Sequence, residues 1–167
     1  ILNALLISVA VTCIGTLLGL SVTTAMGYAL SRPNFKLKQF YTWVIFIPML
    51  FSGGLVASYV VNSNILGLRN TIWVLILPLM VSSYNIVICK TYFKTSIPDG
   101  IIESAKIDGA TQMRTFLSIV VPISKPLFAT IALFLSFGYW NDWFLSSLYI
   151  SDKRLISLQA LLNNIMR

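Results

Sequence analysis

The chain has 167 residues, of which 57% are hydrophobic and only 10% charged, with a formal net charge of +7. Soluble domains carry about 25% charged residues, so this composition excludes an ordinary soluble domain, and the mean hydropathy of +0.83 points to a membrane protein. The positive balance does not imply nucleic acid, because the basic residues sit in short loops between apolar runs rather than on one patch.

The first run, Ile1 to Ser31, carries no charged side chain. It exceeds the roughly 20 residues a helix needs to cross the hydrocarbon core, so 1–31 is expected to be the first span. Arg32-Pro33 stops it, since the residue before proline avoids the helical region. Gly15, Gly19 and Gly27, with Ser and Thr between them, suit close helix packing in lipid. Arg32, Lys36 and Lys38 form a basic loop, with Arg32 expected to snorkel to the interface. The next charge-free run holds a second span, 39–61, with Pro48 and Gly53-Gly54 inside it. Asn62, Ser63, Asn64 and Gly67 mark a turn. A third span, 71–89, contains Pro78 and is capped by Lys90 and Lys94. A polar loop, 90–126, separates it from a fourth span, 127–148. The segment 149–167 carries Asp152, Lys153 and Arg154, and its run 155–162 reads as a short interfacial helix.

The two cysteines, Cys13 and Cys89, lie in different apolar runs and read as small core or lipid-facing residues. The chain has no histidine, and no Cys/His/Asp/Glu cluster has ligand spacing, so no metal site is expected. The opening Ile1-Leu2-Asn3 has no methionine and no basic flank, which predicts no signal peptide and a chain excised from a longer protein.

Lysine and arginine counts set the orientation. The loops carrying Arg32, Lys36 and Lys38, and Lys90, Lys94, Lys106, Arg114 and Lys125, hold eight. The opposite side holds four: Arg69, Lys153, Arg154 and Arg167. Positive-inside bias puts the first two loops in the cytoplasm and both chain ends outside.

The 90–126 loop is longer than adjacent spans need. Pro98 suits a helix's first turn, and Asp99 and Glu103 favour its positive end. Asp99, Glu103 and Lys106 share one face, while Ile101, Ile102 and Ala105 form the apolar side. Gly109 can end the helix in the left-handed conformation, and Thr111 can cap the next. Met113, Phe116, Leu117 and Val120 then repeat at helical spacing. Pro122 is expected to end that helix and Pro126 to start the fourth span. On periodicity alone, a plain connecting hairpin and a docking element for a soluble partner fit equally well.

Glu103-Ser104-Ala105, three residues, Gly109, nine residues, Ile119-Val120-Val121-Pro122 resembles the EAA loop of binding-protein-dependent ABC transporter permeases. Ser104 replaces an alanine and Val121 a leucine of that pattern. Tyr28-Ala29-Leu30-Ser31-Arg32, Ile107-Asp108-Gly109-Ala110 and Trp140-Asn141-Asp142-Trp143-Phe144 resemble the carbohydrate branch, of the maltose-transporter type. Gly53-Gly54-Leu55, Leu66-Gly67-Leu68-Arg69-Asn70-Thr71 and Tyr149-Ile150-Ser151-Asp152 look most like permeases for complex or acidic oligosaccharides.

The resemblance implies an all-α, polytopic transmembrane bundle of the type I ABC importer permease kind, with a cytoplasmic coupling-helix hairpin. It implies a multi-pass protein of a prokaryotic cell membrane, lacking here the first and last of six helices. The expected partners are a second permease subunit, two cytoplasmic ATPase subunits and an extracellular substrate-binding protein. The chain has no G-x-x-x-x-G-K-[ST] motif. It is therefore expected to bind no cofactor and not to be an enzyme, with ATP and magnesium held by the ATPases. Glu103, Ser104, Ala105, Asp108, Gly109 and Arg114 are the expected coupling residues.

For the translocation pathway, polar residues inside spans are functional by default. Asp142 is placed about two-thirds of the way across the core and expected to face the bundle interior or a wet cavity. Trp140 and Trp143 offer flat surfaces for sugar stacking or, equally, an interfacial aromatic belt. Asn141 stands between them. Tyr84 and Asn85 lie inside the third span, where an asparagine bonds a ligand or a neighbouring helix. Gly53 and Gly54 either kink the second span or pack closely. Three other readings remain: an importer for a non-sugar solute, a channel subunit without an ATPase, and a membrane enzyme. Absent histidine and paired intramembrane carboxylates argue against the last.

Overall fold

The computed structural model describes residues 1–166, and Arg167 of the orientation count lies outside them. Every regular element among the described residues is helical. Helix α1, Leu2–Ser31, is the spine. Helix α2, Lys38–Leu50, is interrupted at 51–53 before α3, Gly54–Val60, which runs on through a π-helical turn, Val61–Ile65. Helices α4, Trp73–Met80, and α5, Ser83–Ser96, meet at a 46° bend. Helix α6, Asp99–Ile107, and α7, Gln112–Thr115, form a hairpin. A π-helical turn, Phe116–Val120, and α8, Val121–Ile123, extend α7. An 85° bend leads into α9, Lys125–Asn141. Then come α10, Phe144–Tyr149, and α11, Leu158–Met166.

Helix α1 is long and apolar enough to cross a membrane alone. The α4–α5 and α7–α9 pairs meet the same test only as bent units. Because α1 is apolar on every side, what selects its buried face is side-chain size. A Cβ added to Gly15 would collide with the Tyr139 ring of α9, and one added to Gly27 would collide with Cβ of Cys89 on α5. At Gly19 it would stand 2.9 Å from the carbonyl oxygen of Met80 at the end of α4. The expected close packing is thus realised: α1 lies in a groove made by α4, α5 and α9. Tyr139, buried there, donates its hydroxyl to the Ile76 carbonyl at 2.7 Å and links α9 to α4. The core runs along this seam through Val74, Cys89, Phe93, Val120 and Ile131.

Several boundaries differ from the sequence reading. The second span is two helices, because Gly54 takes φ +79° and turns the chain after Pro48. The third breaks at Val81–Ser82, in extended conformation, three residues after Pro78. It then continues past Cys89, through Lys90 and Lys94, to Ser96. The helix that holds Pro122 ends one residue beyond it, at Ile123, close to the expected stop. A π-helical turn stands just before the proline, and the chain bends at Ser124. The fourth span stops at Asn141.

At the end of α1 nearest Leu2, the connecting segments lock together. The Asn70 carboxamide, on a residue with φ +57°, accepts the amides of Ser151 and Asp152. Tyr59 stacks on Tyr149 at 5.4 Å. The amide of Leu158, at the start of α11, donates to Ser8 Oγ at 2.8 Å. Helix α11 thereby packs on α1 beyond the 155–162 range expected for it. The other end of α1 meets the α6–α7 hairpin.

Candidate coupling site

The hairpin is built from local rules. Pro98, at ψ 140°, turns the chain into α6, and Asp99 occupies its first turn. Two bonds close the other end: Gly109 N–H to the Lys106 carbonyl at 3.0 Å, and Ala110 N–H to the Ala105 carbonyl at 2.9 Å. This is the Schellman pattern, and it needs a left-handed residue, which Gly109 supplies at φ +78°. A side chain at Gly109 would meet nothing within 4 Å, so the requirement is conformational rather than steric. Thr111 caps α7 by accepting the Arg114 amide at 3.3 Å.

Packing divides the expected coupling residues into two sets. Ala105 turns inward with Ile102, both 5% exposed. Glu103, Ser104, Asp108, Gly109 and Arg114 lie on the open side. Ser104 spends its hydroxyl on the Gly100 carbonyl at 2.8 Å within its own helix. Ile101 was expected on the apolar side but remains partly open. The open side is far from uniformly polar, for Ile107 is 86% exposed, Met113 66% and Leu117 57%. Polar and apolar groups together on a protruding turn suit capture by a complementary protein cleft.

Behind the hairpin, Arg32 is not the snorkelling loop residue expected. It is 9% exposed. Its Nη2 donates to the Phe93 carbonyl at 2.8 Å, its Nε to Ser31 Oγ at 3.0 Å and its Nη1 to Asp99 Oδ1 at 3.0 Å. Its guanidinium lies 5.3 Å from the Tyr28 ring centroid, and that ring packs edge-on to Phe93 and tilted against Phe116. A cavity of about 560 Å³ opens beside it, lined by Tyr28, Arg32, Asp99, Glu103, Met113 and Phe116 among others. In the sequence these groups are an arginine before a proline and an acid 67 positions later. Nothing in local patterning pairs them.

The residues expected to line a pathway fall at or next to the helix breaks. Gly53 and Gly54 sit in the open interruption between α2 and α3, where no residue packs closely on Gly54. Tyr84, 59% exposed, and Asn85, 7% exposed, begin α5 just after the α4–α5 bend. The contact between Gly19 and Met80 places that bend beside the middle of α1. Asp142 is not inside a helix but in the α9–α10 break. Its Oδ1 accepts the Leu145 amide at 3.4 Å, and its carbonyl accepts from Ser157 Oγ. Trp140 and Trp143 are 37% and 41% exposed on either side of it. Asn141 donates to the Phe137 carbonyl of its own helix.

A bent, all-helical bundle around a glycine-faced spine, with a patterned hairpin at one end, is the class of fold these elements define. The chain belongs to the family described as binding-protein-dependent transport system inner membrane component, whose model matches residues 4–166. It is 39% identical over 166 residues to the polygalacturonan/rhamnogalacturonan transport system permease protein YtcP of Bacillus subtilis (strain 168), covering 99% of this chain and 57% of that protein. It is 38% identical over 164 residues to Protein LplC of the same organism, covering 98% of this chain and 55% of that protein. Among solved structures, a bacterial ABC transporter involved in the import of the acidic polysaccharide alginate superposes with a TM-score of 0.91 at 25% identity. That match covers 97% of this chain and 57% of the other. The chain thus spans a little over half the length of the relatives it matches.

Proposed function

We propose that this chain is the core of a permease subunit of an ATP-driven importer for oligosaccharides. The hairpin lies in the cytoplasm and seats one of two ATPase subunits. A second permease completes the pathway, and an extracellular binding protein delivers the sugar. ATP and magnesium are bound by the ATPases. The observation that carries this reading is the hairpin itself: Glu103, Ser104, Asp108 and Gly109 of the spaced pattern stand on the open side of a turn that Gly109 shapes, beside the exposed Ile107 and Met113, while Ala105 and Val120 anchor it inward. A pore subunit without an ATPase gives no reason for that display.

Transport follows from the bends. Closing and reopening of the ATPases moves the hairpin as a rigid body, and the bundle rocks between inward-open and outward-open states. The openings lie where α2–α3, α4–α5 and α9–α10 are interrupted, since irregular backbone at membrane depth is tolerated where it lines a wet cavity. The relatives' names favour acidic oligosaccharides as cargo.

The decisive experiment uses the full-length permease with Gly109→Val, co-expressed with its partner permease and ATPases. A β-branched residue in the left-handed region is strongly disfavoured. The expected result is loss of ATPase co-purification, or retained ATPase with uptake of a labelled oligogalacturonide at background. Wild-type association and uptake would sink the coupling role. Import of neutral maltooligosaccharides alone would sink the acidic cargo and leave the coupling role standing.

A further inference from the structure

We propose that Arg32 is a positioning residue that latches the coupling hairpin to the spine helix. The latch joins the end of α1, the end of α5 and the first turn of α6 through one guanidinium. It rests on the reading of α6 as the element that receives the ATPase stroke.

The argument begins with how Arg32 is held. Two of its three bonds, to Ser31 Oγ and the Phe93 carbonyl, involve buried groups, and Ser31 Oγ itself donates to the Tyr28 carbonyl at 2.6 Å. Together with the Tyr28 ring beneath it, these contacts fix the guanidinium without help from Asp99. The Arg32 side chain is 11% exposed, whereas that of Asp99 is 65% exposed. An exposed ion pair is ordinarily weak, chiefly because two long side chains must be ordered. Here the planar fork is already ordered and only the short Asp99 remains to be placed.

The placement of the pair matters more than its strength. Between Ser96 and Asp99 the chain leaves α5 through Ile97 and Pro98, in extended conformation, so no continuous helix joins α5 to α6. Beside the buried contacts of Ile102 and Ala105, the Arg32 fork is a direct polar tie from the hairpin to α1. Helix α1 in turn touches α4, α5 and α9 through its glycine face. A pull on α6 is therefore delivered to the helix around which the others are arranged.

The test uses Asp99→Ala in the assembled transporter of full-length subunits, reconstituted in liposomes with binding protein and labelled oligogalacturonide. Asp99 is exposed, so the variant should fold and retain its ATPases. Uptake per ATP hydrolysed is expected to fall about threefold, within the range of a partly exposed ion pair. Amide exchange across 97–107 should rise by a similar factor without any substrate. Asp99→Glu should restore much of both. A second variant, Asp99→Ala with Gly100→Asp, returns a carboxylate to the first turn of α6 at a site where a side chain has open space. It is expected to remain uncoupled. An unchanged ratio and exchange in Asp99→Ala would overturn the latch. Recovery by Gly100→Asp would overturn it too, in favour of a simple helix-end charge effect. Gly109→Val, run in parallel, separates the two ideas: a defect there with normal Asp99→Ala removes only the latch, and wild-type behaviour of Gly109→Val removes the coupling role beneath it.

Discussion

Glycines do three separate things in this chain, and the difference predicts what substitution does. At Gly27 the missing Cβ is space already occupied by Cys89. Gly27→Leu should prevent tight α1–α5 packing, at the upper end of the roughly 1–3 kcal/mol typical of overpacking. Loss of a monodisperse peak after detergent extraction is the expected outcome, and recovery should be partial when Cys89→Gly is added. At Gly109 space is free and conformation is the constraint. Gly109→Ala should cost about 1–2 kcal/mol locally, leaving extraction and thermal unfolding of the bundle unchanged while weakening ATPase retention. At Gly54 the left-handed turn breaks the second span. Whether a residue is needed for space or for φ is invisible in sequence, since both read as glycine.

At the level of elements, the hairpin was the most legible part of the chain, for each of its signals is local. The proline start, first-turn acid, glycine stop and threonine cap all act within a few residues of where they stand. Its two faces predict opposite phenotypes. Ile102→Ala removes a buried side chain, and a loss of about 2–4 kcal/mol should appear as faster hydrogen exchange from 98 to 110. Ile107→Ala removes one that touches no core. It should leave exchange unaltered and lower the fraction of permease that co-purifies with ATPase. If Ile107→Ala retained full association, the exposed apolar turn would not be part of the seat. The spans are less legible. Hydropathy finds apolar runs but not their interruptions, because a proline such as Pro78 or Pro122 breaks, bends or survives according to what its neighbours can re-satisfy. Pro78 is followed by a 46° bend after Met80 and Pro122 by an 85° bend at Ser124.

For the whole molecule, the arrangement ties two distant ends to one helix. One end is closed by Asn70, Tyr149 and the Ser8–Leu158 bond, the other by the Arg32 fork. Between them lie the breaks in α2–α3, α4–α5 and α9–α10, where the proposed rocking of the bundle would be absorbed. Straightening one should trap a single state: Pro78→Ala is expected to preserve ATPase binding yet slow uptake several-fold. Equal uptake would remove the α4–α5 bend from the transport cycle.

By itself, the sequence determined the apolar membrane character, the family and the helical hairpin around Gly109. Composition and charge-free length select lipid, and a spaced local pattern survives any arrangement of the rest. Only the tertiary structure decided which face of α1 is buried, that Asp142 caps a break rather than lining a helix, and that Arg32 is held by Phe93 and Asp99. Those facts depend on groups tens of residues apart meeting at hydrogen-bond distance. In an apolar chain, hydrophobicity cannot tell inside from outside, so shape and a few polar bonds make the choice.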